Sequence, residues 1–261
     1  MSMAVTNMAT LEAEIATGVD VVADAQDQAL ADRVLTPATL RLIGSLHRRL
    51  WDRRSTILRD RAIGQRTGGP SVAESWVVDP FDPPAELHRG ADLRGGEGSS
   101  WDTRLHALAQ TFEASADAGV ALVRVRGWEQ TESAILVDGR AVPGAIVDLV
   151  LLLSQNAETL RGTGIFTPGE TRFWVCAPNI PDRAEARLWN DLLNLVQDRL
   201  GIDRGTMRLV VSTGSPASFA ELDDVLFEVR AHAAGLCMAD ESGVDDISVK
   251  ELAARRGVVV A

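Results

Sequence analysis

Four places along the sequence set side chains capable of chemistry at or just after short apolar runs. Arg124 and Arg126 close the run at residues 120–125, and Cys176 and Asn179 end or follow the run at 173–176. Thr213 and Ser215 follow 207–211, and Asp240 and Glu241 follow 234–238. An arginine is a fixed planar cation suited to holding a carboxylate or polarising a carbonyl, and an acid or hydroxyl beside it can move a proton. The same residues allow a plainer arrangement, with Arg124 paired to Asp240 or Glu241 as a structural ion pair. Trp128, Trp174 and Trp189 suit core or pocket wall. Cys176 and Cys237 have no histidine set beside them by any motif and are expected in the core, as free cysteines commonly are. Two cysteines make neither a disulfide framework nor a zinc cluster. His47, His88, His106 and His232 are scattered without metal-like spacing. Ser215 doubles as a helix cap before Pro216, and the acidic stretch 240–246 suits a solvated loop.

The elements that must position these groups alternate between helix and strand. Thr36-Pro37 is a capping residue followed by proline at the first helical position, and Leu40, Ile43, Leu46 and Leu50 continue at helical spacing. Residues 67–100, rich in proline and glycine, predict a long loop around one short strand at 76–78. Beyond Trp101 the pattern gives a helix through Leu105, Leu108 and Phe112, a strand at 120–125, and a strand at 135–137 ending in the turn Asp138-Gly139. Then come a helix over 145–160, a strand at 173–176, a helix over 184–200 and a strand at 207–211. A helix carries the stripe Phe219, Leu222, Val225, Leu226 and Val229, and strands at 234–238 and 258–260 flank a helix over 247–256. Strands that are apolar almost throughout, separated by helices, predict a parallel sheet covered by helices. Five such strands are expected, whereas a closed barrel needs eight. In that class of fold the functional groups gather at the C-terminal strand ends.

The chain has 261 residues, 26 basic against 37 acidic, and a net charge of −11. That balance excludes a nucleic-acid groove or a basic membrane patch, both of which need clustered cations. Every basic residue except Lys250 is an arginine, so a Schiff-base mechanism has one lysine to draw on and is set aside. The N-terminal residues lack a charged leader with a long apolar core, and the longest apolar run, 145–153, is interrupted by Asp148. These features predict a cytoplasmic protein.

Several stretches resemble the malate synthases of the shorter form: Leu35-Thr-Pro-Ala-Thr-Leu-Arg-Leu-Ile-Gly-Ser-Leu-His-Arg-Arg-Leu50, then Val123-Arg-Val-Arg-Gly-Trp128 with Leu136-Val-Asp-Gly139. The most specific is Glu185-Ala-Arg-Leu-Trp-Asn-Asp191, continuing through Leu200-Gly-Ile-Asp-Arg-Gly-Thr206 and the segment from Phe219 to Gly235. The resemblance implies a TIM-type barrel that condenses acetyl-CoA with glyoxylate using magnesium. It implies that Arg124 is the cation that polarises the aldehyde and steadies the enolate oxygen. The family's metal-binding glutamate falls in register at Thr213 and its aspartate at Ser242, so Mg²⁺ is not expected here. The family's aspartate base has no counterpart within the 261 residues.

The expected fold is thus α/β, a TIM-barrel-like parallel sheet, incomplete or modified, with an N-terminal helical segment. The expected divisions are a mobile acidic arm over 1–34, a helix and long loop over 35–100, and a partial barrel over 101–261. The expected function is that of a truncated, divergent, metal-independent relative. It would act on a 2-oxo acid or an acyl thioester in carbon–carbon bond formation or cleavage. Arg124, Asp240 and Glu241 would be its catalytic residues, and Arg126, Trp128, Asn179, Thr213 and Ser215 would bind substrate. The alternative is an inactive homologue serving as a binding or partner subunit. Because an incomplete barrel leaves sheet edges to cover, a homodimer or a partner protein is expected.

Overall fold

A computed structural model describes residues 18–22, 28–64, 75–81, 83, 87–94, 103, 106–107, 120–162, 173–214, 216–238 and 245–261. Its centre is a six-stranded sheet of β2 (Leu87–Asp92), β3 (Val120–Arg124), β6 (Phe173–Ala177), β7 (Leu209–Thr213), β8 (Ala233–Met238) and β9 (Val259–Val260), adjacent in that order. Every neighbouring pair is parallel, so the sheet is the curled part of an incomplete barrel. A smaller antiparallel sheet joins β1 (Val19–Val21), β4 (Thr131–Val137) and β5 (Arg140–Pro143) in the order β1-β4-β5. The helices are α1 (Gln28–Val34), α2 (Pro37–Ala62), α3 (Gly144–Gly162), α4 (Arg183–Leu200), α5 (Pro216–Ala220), α6 (Leu222–Glu228) and α7 (Asp246–Arg256). None among the described residues is long and apolar enough to cross a membrane.

Alternation along the strands sorts the core into two parts. Val123, Val175, Ala177, Leu209, Val211 and Leu236 face the helices and join the main apolar cluster, whereas Leu122, Trp174, Cys176, Val210, Ala234 and Cys237 form a second cluster on the opposite face. Helix α2 starts where expected: Thr36 Oγ1 accepts from the Thr39 amide at 3.2 Å, and Pro37 takes the first turn. At 26 residues it is about 39 Å long, and it buries Ile43, Leu46, Leu50 and Ile57 against the fold. The turn between β4 and β5 has Asp138 at φ 52° and Gly139 at φ 75°. Both values are positive, as the commonest two-residue hairpin turn requires. Arg48 of α2 grips that turn, giving two hydrogen bonds of 2.9 Å to the Asp138 carboxylate.

Four expectations need correction. Within the N-terminal segment read as an arm, Val19–Val21 pairs antiparallel with Ile135–Val137 as a strand and Gln28–Val34 is a helix. The segment read as loop over 67–100 contains β2, which pairs parallel with β3. Its signal was masked by His88, Arg89 and Gly90 in a strand that lies at one edge of the parallel sheet. No strand forms at 76–78; Val78 and Asp79 instead donate to the carbonyls of Arg256 and Arg230 at 3.0 and 3.1 Å, fastening the segment to the ends of α7 and α6. The helix carrying Phe219 to Val229 is two short helices broken at Glu221. The helix expected through Leu105 and Phe112 falls largely outside the described residues.

Candidate functional site

The C-terminal ends of the strands put their polar residues in one row. Across β2, β3 and β6, Asp92 is registered with Arg124, and Arg124 with Cys176; on β8, Cys237 stands opposite Ser212 of β7. Arg124 is half-buried, and its Nη2 lies 4.0 Å from Cys237 Sγ. The Cys176 thiol donates to the Ala177 carbonyl at 3.9 Å and the Cys237 thiol to the Met238 carbonyl at 3.8 Å. Asp92 is engaged by Arg94, which reaches it at 2.6 and 2.9 Å. That hydrogen bond, aided by the Arg124 charge, holds the Asp92 carboxyl below its ordinary range.

The two thiols are not equivalent. The proximity of Cys176 favours the thiolate of Cys237, burial opposes it, and the charges of Arg124 and Arg94 add to the favourable side, so Cys237 ionises more readily than an ordinary cysteine. Cys176 is pushed the other way by the same pairing and by burial.

Beside this row a cavity of about 500 Å³ opens between the loops after β2, β3 and β6, lined by Arg61, Arg94, Trp128, Asn179 and Glu185 among others. Glu185 sits in the first turn of α4, where the Asp182 cap accepts its amide at 2.9 Å. Its side chain is 4% exposed and accepts from Arg61 Nη2 at 2.7 Å. Burial pushes it up to about 7 despite the pull of Arg61. Arg61 also reaches Asp182 and Glu129, at 3.0 and 2.9 Å. The cavity wall thus carries a carboxyl able to exchange a proton near neutral pH and, in Arg94, a cation shared with the thiol row.

The residues expected in the site part company. Arg124 stands in the strand-end row and is not among the residues that line the cavity. Trp128 and Asn179 line the cavity; the Trp128 ring is buried edge-on against Trp189 at 5.8 Å, and its carbonyl accepts from Arg54 at 2.7 Å. Arg126 is placed elsewhere. It is 4% exposed, with Nη1 on Glu132 at 2.8 Å and Nη2 on Asp148 at 2.5 Å, while its amide donates to Asp148 at 2.8 Å. Burial opposes the Arg126 charge, but the two carboxylates outweigh it and raise its pKa. Arg126 lies beyond the end of β3, and these two buried carboxylates take its guanidinium and amide, so it is a structural ion pair inside the fold rather than a substrate ligand. A Cβ on Gly144 would fall 2.6 Å from Arg126 Cβ, which is why the start of α3 carries no side chain there.

Thr213 is buried, its hydroxyl 3.1 Å from Ser218 Oγ. A neutral hydroxyl so engaged does not fit the carboxylate a hard divalent cation needs at this position, and no group of three His, Cys, Asp or Glu suited to a metal occurs among the described residues. Ser215, Asp240, Glu241 and Ser242 lie outside the described residues. Sequence reasoning missed the contact of Arg124 with Cys237 and the proton-exchanging character of Glu185. The available signal was that both cysteines fall near the ends of parallel strands, on alternate strands of the sheet.

A parallel strand–helix sheet with its charged groups at the C-terminal strand ends is the arrangement of TIM-type and doubly wound α/β proteins. Residues 120–246 match the family model described as "Malate synthase, TIM barrel domain". The chain is 33% identical over 199 residues to a malate synthase of Myxococcus xanthus, covering 69% of this chain and 34% of that protein. It is 30% identical over 262 aligned positions to one of Streptomyces clavuligerus, covering 78% of this chain and 47% of that protein. To the glyoxysomal malate synthase of Candida tropicalis it is 36% identical over 115 residues, covering 44% and 20% respectively. The chain belongs to the malate synthase family, and it spans about half or less of the length of the curated relatives it matches.

Proposed function

We propose that this protein is a malate synthase-like enzyme that works without the family's metal, taking a small 2-oxo acid or an acyl thioester in carbon–carbon bond formation or cleavage. One observation carries the reading. Arg124 is kept at the end of β3, half-buried, with the Cys237 thiol at 4.0 Å and, beside it in the sheet, an Asp92 carboxylate already held by Arg94. A cation whose neighbouring carboxylate is held by another arginine, in a partly desolvated site, is poised for the oxygen of a carbonyl or enolate. Asn179 and Trp128 would line the substrate's path. Asp240 and Glu241, which follow β8, would supply proton transfer together with Glu185. The site lies in the cytoplasm in this reading.

Calorimetric titration of the full chain with glyoxylate and acetyl-CoA, separately and with or without Mg²⁺, tests it. Binding of either ligand without metal is expected, weakened at least about tenfold (about 1.4 kcal/mol) in Arg124→Gln. Absence of binding under all conditions would overturn the reading.

A second reading has its own observation. β2 and β9 each pair on one side only among the described residues, and unpaired edges need covering. A catalytically silent subunit, completed by a second copy or another chain, fits that feature. A strictly monomeric mass at micromolar concentration would count against it.

A further inference from the structure

We infer that a second cavity, between the first half of α2, the C-terminal half of α3 and the end of α4, is a binding site for a small phosphomonoester. Arg41 and Arg199 take the phosphate, and Leu42 and Leu200 lie along the body of the ligand. The site shares no lining residue with the cavity at the strand ends.

The cavity follows from residue size. Ala38, Arg41, Leu42 and Ser45 share one face of α2 at helical spacing, and Ser154 and Ala157 line the cavity from α3. Packed helices with small side chains at the contact leave room between them. The room here is about 570 Å³, a volume that holds a small molecule rather than a bare ion.

Charge makes it an anion site. No aspartate or glutamate is among the described residues that line it. Arg61 and Arg94, in the other cavity, are gripped by Glu185 and Asp92, whereas Arg41 and Arg199 have no carboxylate in contact among the described residues. Asp198, whose carboxyl feels the Arg199 charge, has both oxygens taken by Arg204 at 2.8 and 2.6 Å. Arg199 lies in the last turn of α4 and suits the negative end of that helix. Arg41 has no such account. The first turn of α2 holds no acidic residue to match its positive end, and Arg41 adds a cation one turn further on. Thr36 and Thr39 cap that end with each other, hydroxyl to hydroxyl at 2.9 Å, so the arginines are the groups that call for an anion.

A third observation is independent of charge. Ser154 Oγ is buried with no hydrogen-bond partner, a state that costs stability until a partner arrives. A phosphomonoester is a dianion above about pH 6 and has three oxygens to divide between two guanidiniums and a hydroxyl. A single carboxylate matches one guanidinium and leaves the other without an anion.

Calorimetric titration of the full chain at about pH 7.5, where the phosphate is a dianion, uses glycerol 3-phosphate, AMP, inorganic phosphate and succinate as probes. At least one of the two phosphomonoesters should bind saturably, about tenfold or more tighter than inorganic phosphate and succinate. Arg41→Gln and Arg199→Gln should each weaken it at least about tenfold, and Arg124→Gln should leave it unchanged. Affinity should fall as pH drops below about 6, with the second ionisation of the phosphate. Ser154→Ala should also weaken binding while the urea midpoint holds or rises, because it removes an unpartnered hydroxyl; a purely structural serine would lower the midpoint and leave affinity alone. No saturable binding of either phosphomonoester, succinate binding as tightly, binding that survives both arginine variants, or binding lost in Arg124→Gln would overturn the inference. None of these results bears on glyoxylate binding, which tests the reading of Arg124 separately.

Discussion

Replacing Glu185 by glutamine should remove one large pH-dependent contribution to stability. Burial holds this carboxyl at about 7 in the fold against an ordinary 4.5. At 1.36 kcal/mol per pKa unit, ionising it within the fold costs about 3 kcal/mol. The sign follows from linkage. A carboxyl with a raised folded pKa contributes fully below about pH 4.5, and its contribution is lost as pH rises through about 7. Glutamine keeps an oxygen for Arg61 and removes the titration, and its amide group has Asp182 and Glu129 nearby as acceptors, since both carboxylates already meet at Arg61. Urea unfolding of both proteins at pH 5 and pH 8 isolates the effect, because every other titrating group cancels in the difference. Relative to the unaltered chain, the variant should gain about 2–3 kcal/mol between the two pH values, roughly 1 M in midpoint. A difference between the proteins that stays constant within about 0.5 kcal/mol would refute the assignment of burial as the dominant cause.

Arg126→Met should destabilise by about 3–5 kcal/mol, because it leaves Asp148 and Glu132 buried without their cation; a urea midpoint unchanged from that of the parent would contradict the ion pair. Gly144→Ala should cost about 1–3 kcal/mol through the 2.6 Å clash of the new methyl with Arg126, read as a lower Tm. Under the metal-independent function proposed above, glyoxylate affinity should be the same in excess chelator and in millimolar Mg²⁺, Thr213 offering only a hydroxyl engaged with Ser218; a chelator-sensitive affinity would refute that reading.

The main parallel strands and the helices over them were legible because both faces of such strands are apolar and their lengths are short. The turn at Asp138-Gly139 was legible because its two positive φ values demand those residue types. β2 was not, since Leu87–Asp92 carries charged residues and a glycine where an interior strand would be apolar. Its close approach to β3 explains the glycine: a Cβ on Gly90 would meet the Leu122 carbonyl at 2.9 Å. Arg126 shows the limit at the site. Its neighbour Arg124 has the same type, lies two residues away and shares the same motif, yet the two differ in role. Asp148, twenty-two positions on in an apolar helix, decides the matter. A lone charge in a buried helix signals a partner, but sequence does not name which arginine it takes.

The row of strand-end residues has its own electrostatic logic. Thr213 brings a neutral hydroxyl, engaged with Ser218, to the end of β7 and adds no charge there. Two arginines against Asp92 then leave the row net positive among the described residues, in a place where burial strengthens every charge. A site of that kind attracts small anions and favours any acidic group nearby in its ionised form. Cys237, 4.0 Å from Arg124 Nη2, is favoured as the thiolate by its pairing with Cys176 and by the charges of Arg124 and Arg94, against burial. Arg124→Gln removes one of those charges, so alkylation of Cys237 at pH 7 should slow. A rate unchanged in Arg124→Gln would refute a part for the guanidinium in its ionisation.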